Sequence, residues 1–157
     1  MKKMQVHGVN LDVMTNQPVV ILKDVEDKRF LPIWIGQFEA TSILMELQGV
    51  KSTRPLTHDL MRSLFESLDI KLKKVVINNI EDGTFFARLH VESDSEVLDL
   101  DARPSDAIAL AVRVKAPIYA DDEVVNKASI MSEDGEEDEV ERFKEFIDTV
   151  SPEDFNQ

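Results

Sequence analysis

Hydrophobic and polar residues alternate with a two-residue period from the start of the chain. In "MQVHGVNLDVM", Val6, Gly8 and Asn10 alternate with His7, Val9, Leu11 and Val13, with one glycine kink. This is a strand pattern. "TNQP" is a turn, "VVILKDV" a second strand, "EDKR" another turn and "FLPIWI" a third strand, so the first third predicts an antiparallel meander. After Gly36 the period lengthens. Ala40, Ile43, Leu44 and Leu47 have helical spacing, with Glu39 and Glu46 on one face and Gly49 as the stop.

A second helix follows, with Leu60, Met61, Leu64, Phe65 and Leu68 as its apolar stripe and Thr57 as the expected N-cap. His58 and Asp59 fall in its first turn, off that stripe. "IKLKKVVINNI" and "FFARLHVES" flank Asp82-Gly83, a hairpin signal, and "EVLDLDA" adds another strand. Pro104 suits the first turn of a helix whose body, "SDAIALAVRV", is apolar nearly all round and is expected to be buried. "APIYA" is a short strand. The order predicts α+β, with a mainly antiparallel sheet built from strands at 4–35 and 70–102 and helices near 37–48, 57–69 and 104–115.

Beyond Asp121 the composition shifts. "SEDGEEDEVE" carries seven acids and no base, which reads as a solvated linker, and Val140, Phe143, Phe146, Ile147 and Val150 restore an amphipathic pattern. The predicted division is therefore a domain over 1–131 and an acidic linker plus short helix over 132–157. The net charge of −13 sits mostly there: residues 121–157 hold 14 acidic and 3 basic side chains, while the other 120 residues are close to neutral. Residues 51–74 form a mild positive patch, with six basic groups against three acidic. There is no cysteine, hence no disulfide or thiolate site. No run approaches a membrane span, and the expected location is cytoplasmic.

Two helix entrances share a design. "RPLTHDL" starts at Arg54 and "RPSDAIAL" at Arg103, each with Arg-Pro before a hydroxyl residue and an aspartate. These stretches, with "LPIWIGQFEA", "VVINNIEDGTFFARL" and "APIYADDEV", resemble the bifunctional nuclease domain family over residues 32–125. The resemblance implies an α+β fold, a tendency to form homo-oligomers (a dimer favoured) and cleavage of both DNA and RNA. At the matching positions Glu39, His58, Asp59, Asp101 and Asp106 are the catalytic candidates, and Arg54 and Arg103 could hold phosphate. Asp59, Asp101 and Asp106 are the candidate ligands of a divalent metal, magnesium or manganese.

A structural reading stands beside this one. Carboxylates in first turns favour the helix dipole whatever the function. Arg54 could pair with Asp101 or Asp106, Arg103 with Asp59, and Asp106 with Arg113, locking helix starts together. Two functions follow: a broad-specificity nuclease, or a non-catalytic oligomeric interaction module whose ion pairs are structural. The strand "FLPIWI" and Trp34 suggest a sheet edge for self-association.

Overall fold

The computed structural model describes residues 1–94 and 96–131. The expected linker and helix over 132–157 lie outside the described residues. Eight strands form one sheet: β1 (Lys2–Asp12), β2 (Gln17–Asp24), β3 (Arg29–Trp34), β4 (Ile70–Glu81), β5 (Thr84–Ser93), β6 (Glu96–Ala102), β7 (Ile118–Ala120) and β8 (Ile130–Met131). Four helices accompany it: α1 (Gln37–Leu47), α2 (Thr57–Ser67), α3 (Pro104–Val114) and α4 (Asp122–Ala128). The fold is α+β, as the pattern predicts.

The strand order is β6-β5-β4-β7-β1-β2-β3-β8. Each meander is antiparallel, and the β4–β7 pair is parallel. Parallel pairing follows from the crossover: the chain leaves β4 through the β5–β6 meander and returns to β4's other side by way of α3. The glycine kink in β1 is a register shift between Val6 and Gly8. Asp82 and Gly83 both have positive φ, 50° and 79°, which a two-residue hairpin loop needs to match the strand twist.

One face of the sheet carries the helices. Leu22, Leu31, Ile33, Val75 and Ile77 meet Ala40 and Ile43 of α1, Ile108 of α3 and Val124 of α4 in one core. Val19, Ile21, Phe30 and Trp34 alternate with them and form a second cluster on the other face. Burial on both faces explains why "VVIL" and "FLPIW" are apolar without interruption.

Three expectations need correction. β3 is a sheet edge only in part: β8 pairs with its first two residues, Arg29 and Phe30, and Trp34 is buried. The pattern could not show this because β8 is two residues long and carries no periodic signal. Next, the N-cap of α2 is Leu56 and not Thr57, which is already helical. The cap function goes to Asp59, whose Oδ2 accepts the Leu56 N–H at 3.0 Å. This is the backward half of a capping box, in which the acid at the third helical position reaches back to the cap N–H. Last, the apolar stripe of α2 does not pack inward. Leu60, Leu64 and Leu68 are exposed, Met61 and Phe65 are half-buried, and the buried residue of the helix is His58. Among the described residues, no helix is long and apolar enough to cross a membrane.

Asp12 ends β1 fully buried, accepting from Trp34 Nε1 at 3.1 Å and from the Met14 N–H at 3.0 Å. It ties the end of β1 to β3 across β2. Asp12→Ala removes both bonds, and the expected loss is about 2 kcal/mol, read as a lower urea midpoint at unchanged slope.

Candidate functional site

α1, α2 and α3 meet over the sheet, α3 packing against both of the others. α3 is central because it is apolar nearly all round, and eight of its residues are buried. The contact faces carry polar side chains at a few positions only, and these find one another.

The first junction is built on His58. Its Nδ1 lies 2.6 Å from Ser42 Oγ of α1, and its Nε2 lies 2.9 Å from Asp106 Oδ1 of α3. An ionised carboxylate only accepts, so Nε2 carries the hydrogen; in the neutral ring Nδ1 then accepts the Ser42 hydroxyl. Asp106 Oδ2 in turn accepts from Arg103 Nε and Nη2 at 2.9 and 2.8 Å. Arg103 Nη1 faces Glu39 Oε1 at 3.5 Å. Hydrogen-bonding to Asp106 raises the Arg103 pKa further above its usual value, with the Asp106 and Glu39 charges adding to it. The chain Ser42–His58–Asp106–Arg103–Glu39 runs from a buried serine to a guanidinium whose side chain is 66% exposed.

The second junction is built on Arg113, whose side chain is 2% exposed. Nε donates to Asp59 Oδ1 of α2 at 2.8 Å, Nη2 to the Ser42 carbonyl of α1 at 3.2 Å, and Nη1 to the Ala109 carbonyl of its own helix at 3.1 Å. The Arg113 hydrogen bond, with the Leu56 N–H next, holds the Asp59 pKa below its ordinary value.

The structure thus links Glu39, His58, Arg103 and Asp106 directly, and places Asp59 in the neighbouring junction. Arg54 and Asp101 are exposed, and among the described residues no side-chain hydrogen bond or ion pair joins either to the network. Asp101 lies on β6 opposite Arg88. The expected ion pairs are reassigned. Arg103 takes Asp106 and Glu39 instead of Asp59, and Asp59 takes Arg113 instead of leaving it to Asp106. The reason is reach: Asp106 sits three residues from Arg103 on one helix start, whereas Arg113 lies two turns further along α3, beside α2. Asp59, Asp101 and Asp106 are not assembled as a ligand set. The first is held by Arg113 and Leu56 and the third by His58 and Arg103, and no group of three metal-ligating side chains occurs among the described residues.

Ser42 was not among the residues read from the sequence, and Arg113 was read only as a possible partner of Asp106. Arg113 had a signal there, since one cation inside an all-apolar helix must find a partner. Ser42 had none, because a serine in a helix is equally at home facing water.

Asp59→Asn strands a buried guanidinium. The expected cost is about 3 kcal/mol, below the ceiling for a fully buried pair because Asp59 keeps 21% of its side-chain surface in water. Since the folded pKa of Asp59 is depressed, its contribution is complete above its ordinary value of 3.8 and is lost as pH falls through the folded value. Urea unfolding at pH 7 should separate wild type from Asp59→Asn, and the difference should shrink in titrations carried below that ordinary value.

The family model for the bifunctional nuclease domain matches residues 20–133. An uncharacterized protein of Mycobacterium tuberculosis is 44% identical over 99% of this chain and 98% of its own length. Bifunctional nuclease 2 of Oryza sativa subsp. japonica is 29% identical, and Bifunctional nuclease 1 of Arabidopsis thaliana 28%; each match covers 71% of this chain but 35% of the plant protein. The chain therefore spans about a third of these plant relatives. The family match includes both helix junctions, from Glu39 to Arg113, and the chain belongs to the bifunctional nuclease domain family.

Proposed function

We propose that this protein is a nuclease of broad specificity, hydrolysing phosphodiesters of DNA and RNA. The observation that carries the reading is the mouth of the first junction. Arg103 is exposed, yet its Nε and Nη2 are pinned by Asp106, which is itself backed by His58. A guanidinium fixed in this way presents its remaining edge to the non-bridging oxygens of a phosphate without first losing side-chain entropy. Glu39 lies next to that edge and is the general base of this reading. Its carboxylate takes a proton from the attacking water as the new P–O bond forms. The ester P–O bond breaks and the departing oxygen takes a proton from solvent. His58, buried, is a positioning residue for Asp106.

A cleft of about 510 Å³ lies at the end of α3 away from Arg103 and is lined by Arg62, Lys71, Lys73, Lys115 and a single acid, Glu66. Several cations lining one cleft, with Lys73 also paired to Glu92 at 3.7 Å, hold a nucleic-acid backbone without reading bases, which supports broad specificity despite the chain's net negative charge.

The test is cleavage of single-stranded DNA and RNA by purified protein in chelator, in magnesium and in manganese, the three arms resolving whether a divalent metal takes part. The expected result is cleavage in at least one arm, lowered at least about a hundredfold in kcat by Glu39→Gln. No cleavage in any arm overturns the reading.

The reading as an oligomeric module is favoured by the outer face of α2. Leu60, Leu64 and Leu68 form an exposed ridge four residues apart, beside the small residues Ser63 and Ser67. A ridge next to a shallow groove complements itself in a two-fold, antiparallel pairing with a second copy of the chain. Sedimentation should give a dimer or larger at high micromolar concentration, and Leu64→Glu should yield monomer. A monomeric wild type would rule this assembly out.

A further inference from the structure

We propose that the cleft between the starts of α1 and α3 binds a phosphate group carried on a nucleoside. The proposal rests on the nuclease reading for the carrier, and on the cleft itself for the phosphate. The cleft measures about 380 Å³, within the range of small-molecule sites. Trp34, Phe85 and Pro104 give it an apolar wall, and Gln17, Thr84 and Ser105 give it neutral polar groups beside Arg103.

Ser105 points to a ligand. The residue is only 5% exposed and lines the cleft, and its hydroxyl, which is not closed off from solvent, makes no hydrogen bond among the described residues. A hydroxyl so placed is served by whatever fills the cleft. The side chains of Gln17 and Thr84 likewise make no hydrogen bond among the described residues.

The backbone adds to this. Gly36 caps α1 and Arg103 caps α3, both line the cleft, and neither helix start has a side-chain capping bond. Their first-turn N–H groups carry the positive ends of two helix dipoles. Pro104 has no N–H, so the Ser105 N–H is the first such donor of α3. A tetrahedral oxyanion uses this set well: the Ser105 hydroxyl and N–H on one side, the Arg103 Nη1 edge on the other.

Glu39 competes for that edge. At 3.5 Å its contact with Nη1 is long beside the 2.8 Å Asp106 contact, so an incoming phosphate displaces Glu39 and leaves Asp106 in place. This fixes opposite signs for two substitutions. Loss of the Ser105 hydroxyl weakens binding, and loss of the Glu39 charge tightens it.

The experiment titrates thymidine 5′-monophosphate, thymidine and inorganic phosphate into the full chain. The signal is fluorescence of Trp34, the chain's only tryptophan and part of the cleft wall. The expected order is monophosphate tighter than inorganic phosphate, with thymidine weakest. Ser105→Ala should weaken the monophosphate about tenfold, the usual size for a hydrogen bond to a charged group. Glu39→Gln should tighten it while lowering cleavage. Absence of monophosphate binding up to roughly 10 mM, or equal binding by wild type, Ser105→Ala and Arg103→Ala, overturns the proposal. Monophosphate binding with these signs but no cleavage of any nucleic acid keeps the cleft and removes the nuclease reading. Cleavage with monophosphate binding indifferent to Ser105 and Glu39 does the reverse.

Discussion

A guanidinium buried among three helices has to be neutralised and hydrogen-bonded, or it destabilises the fold by several kcal/mol. Arg113 meets that requirement with one group from each helix: Asp59 from α2, the Ser42 carbonyl from α1 and the Ala109 carbonyl from α3. The bonds have fixed directions, unlike the apolar contacts around them. They set the register of α1 and α2 on α3, and through that register they bring Ser42, His58 and Asp106 within hydrogen-bond distance.

The polar network accordingly has an interior half and a surface half. Ser42, His58 and Arg113 are buried and act on the helices. Arg103 reaches water, with Glu39 and Asp106 beside it. Between the halves stands Asp106, which gives one carboxylate oxygen to His58 and the other to Arg103. Rigidity made inside is delivered to the surface through that carboxylate. Buried Ser42 and His58 and exposed Arg103 are therefore two ends of one hydrogen-bonded network. Both clefts lie along α3, one at its start and one at its end.

The exposed leucines of α2 have a related origin. One face of that helix is given to His58 and Asp59, whose polar bonds to α1 and α3 take the place apolar packing would otherwise hold. Leu60, Leu64 and Leu68 lie on the opposite side. A helix docked by its hydrogen bonds in this way leaves its leucines outward.

Periodicity and turn chemistry made most of the fold legible. The alternation in β1, the Asp82-Gly83 hairpin and the apolar α3 are local properties, decided by φ/ψ preferences and by which side chains avoid water, so they show in any short window. The site was legible in part. Its residue types and helix-start positions could be read at Arg103, Asp106, His58 and Asp59, and the resemblance marked the same stretches. Which charge meets which could not be read. Pairing depends on where α2 lies against α3, and that depends on contacts between residues tens of positions apart. The same holds for Ser42, indistinguishable in sequence from a surface serine, and for β3, whose first two residues are covered by a two-residue strand almost a hundred positions later. The sequence alone determined most of the elements, their order and the α+β class, because these rest on local physics; α4 and the two-residue β8 were not legible in it. Only the tertiary structure decided the ion pairs, the buried histidine and the outward leucines, because a charge chooses its partner by distance in space.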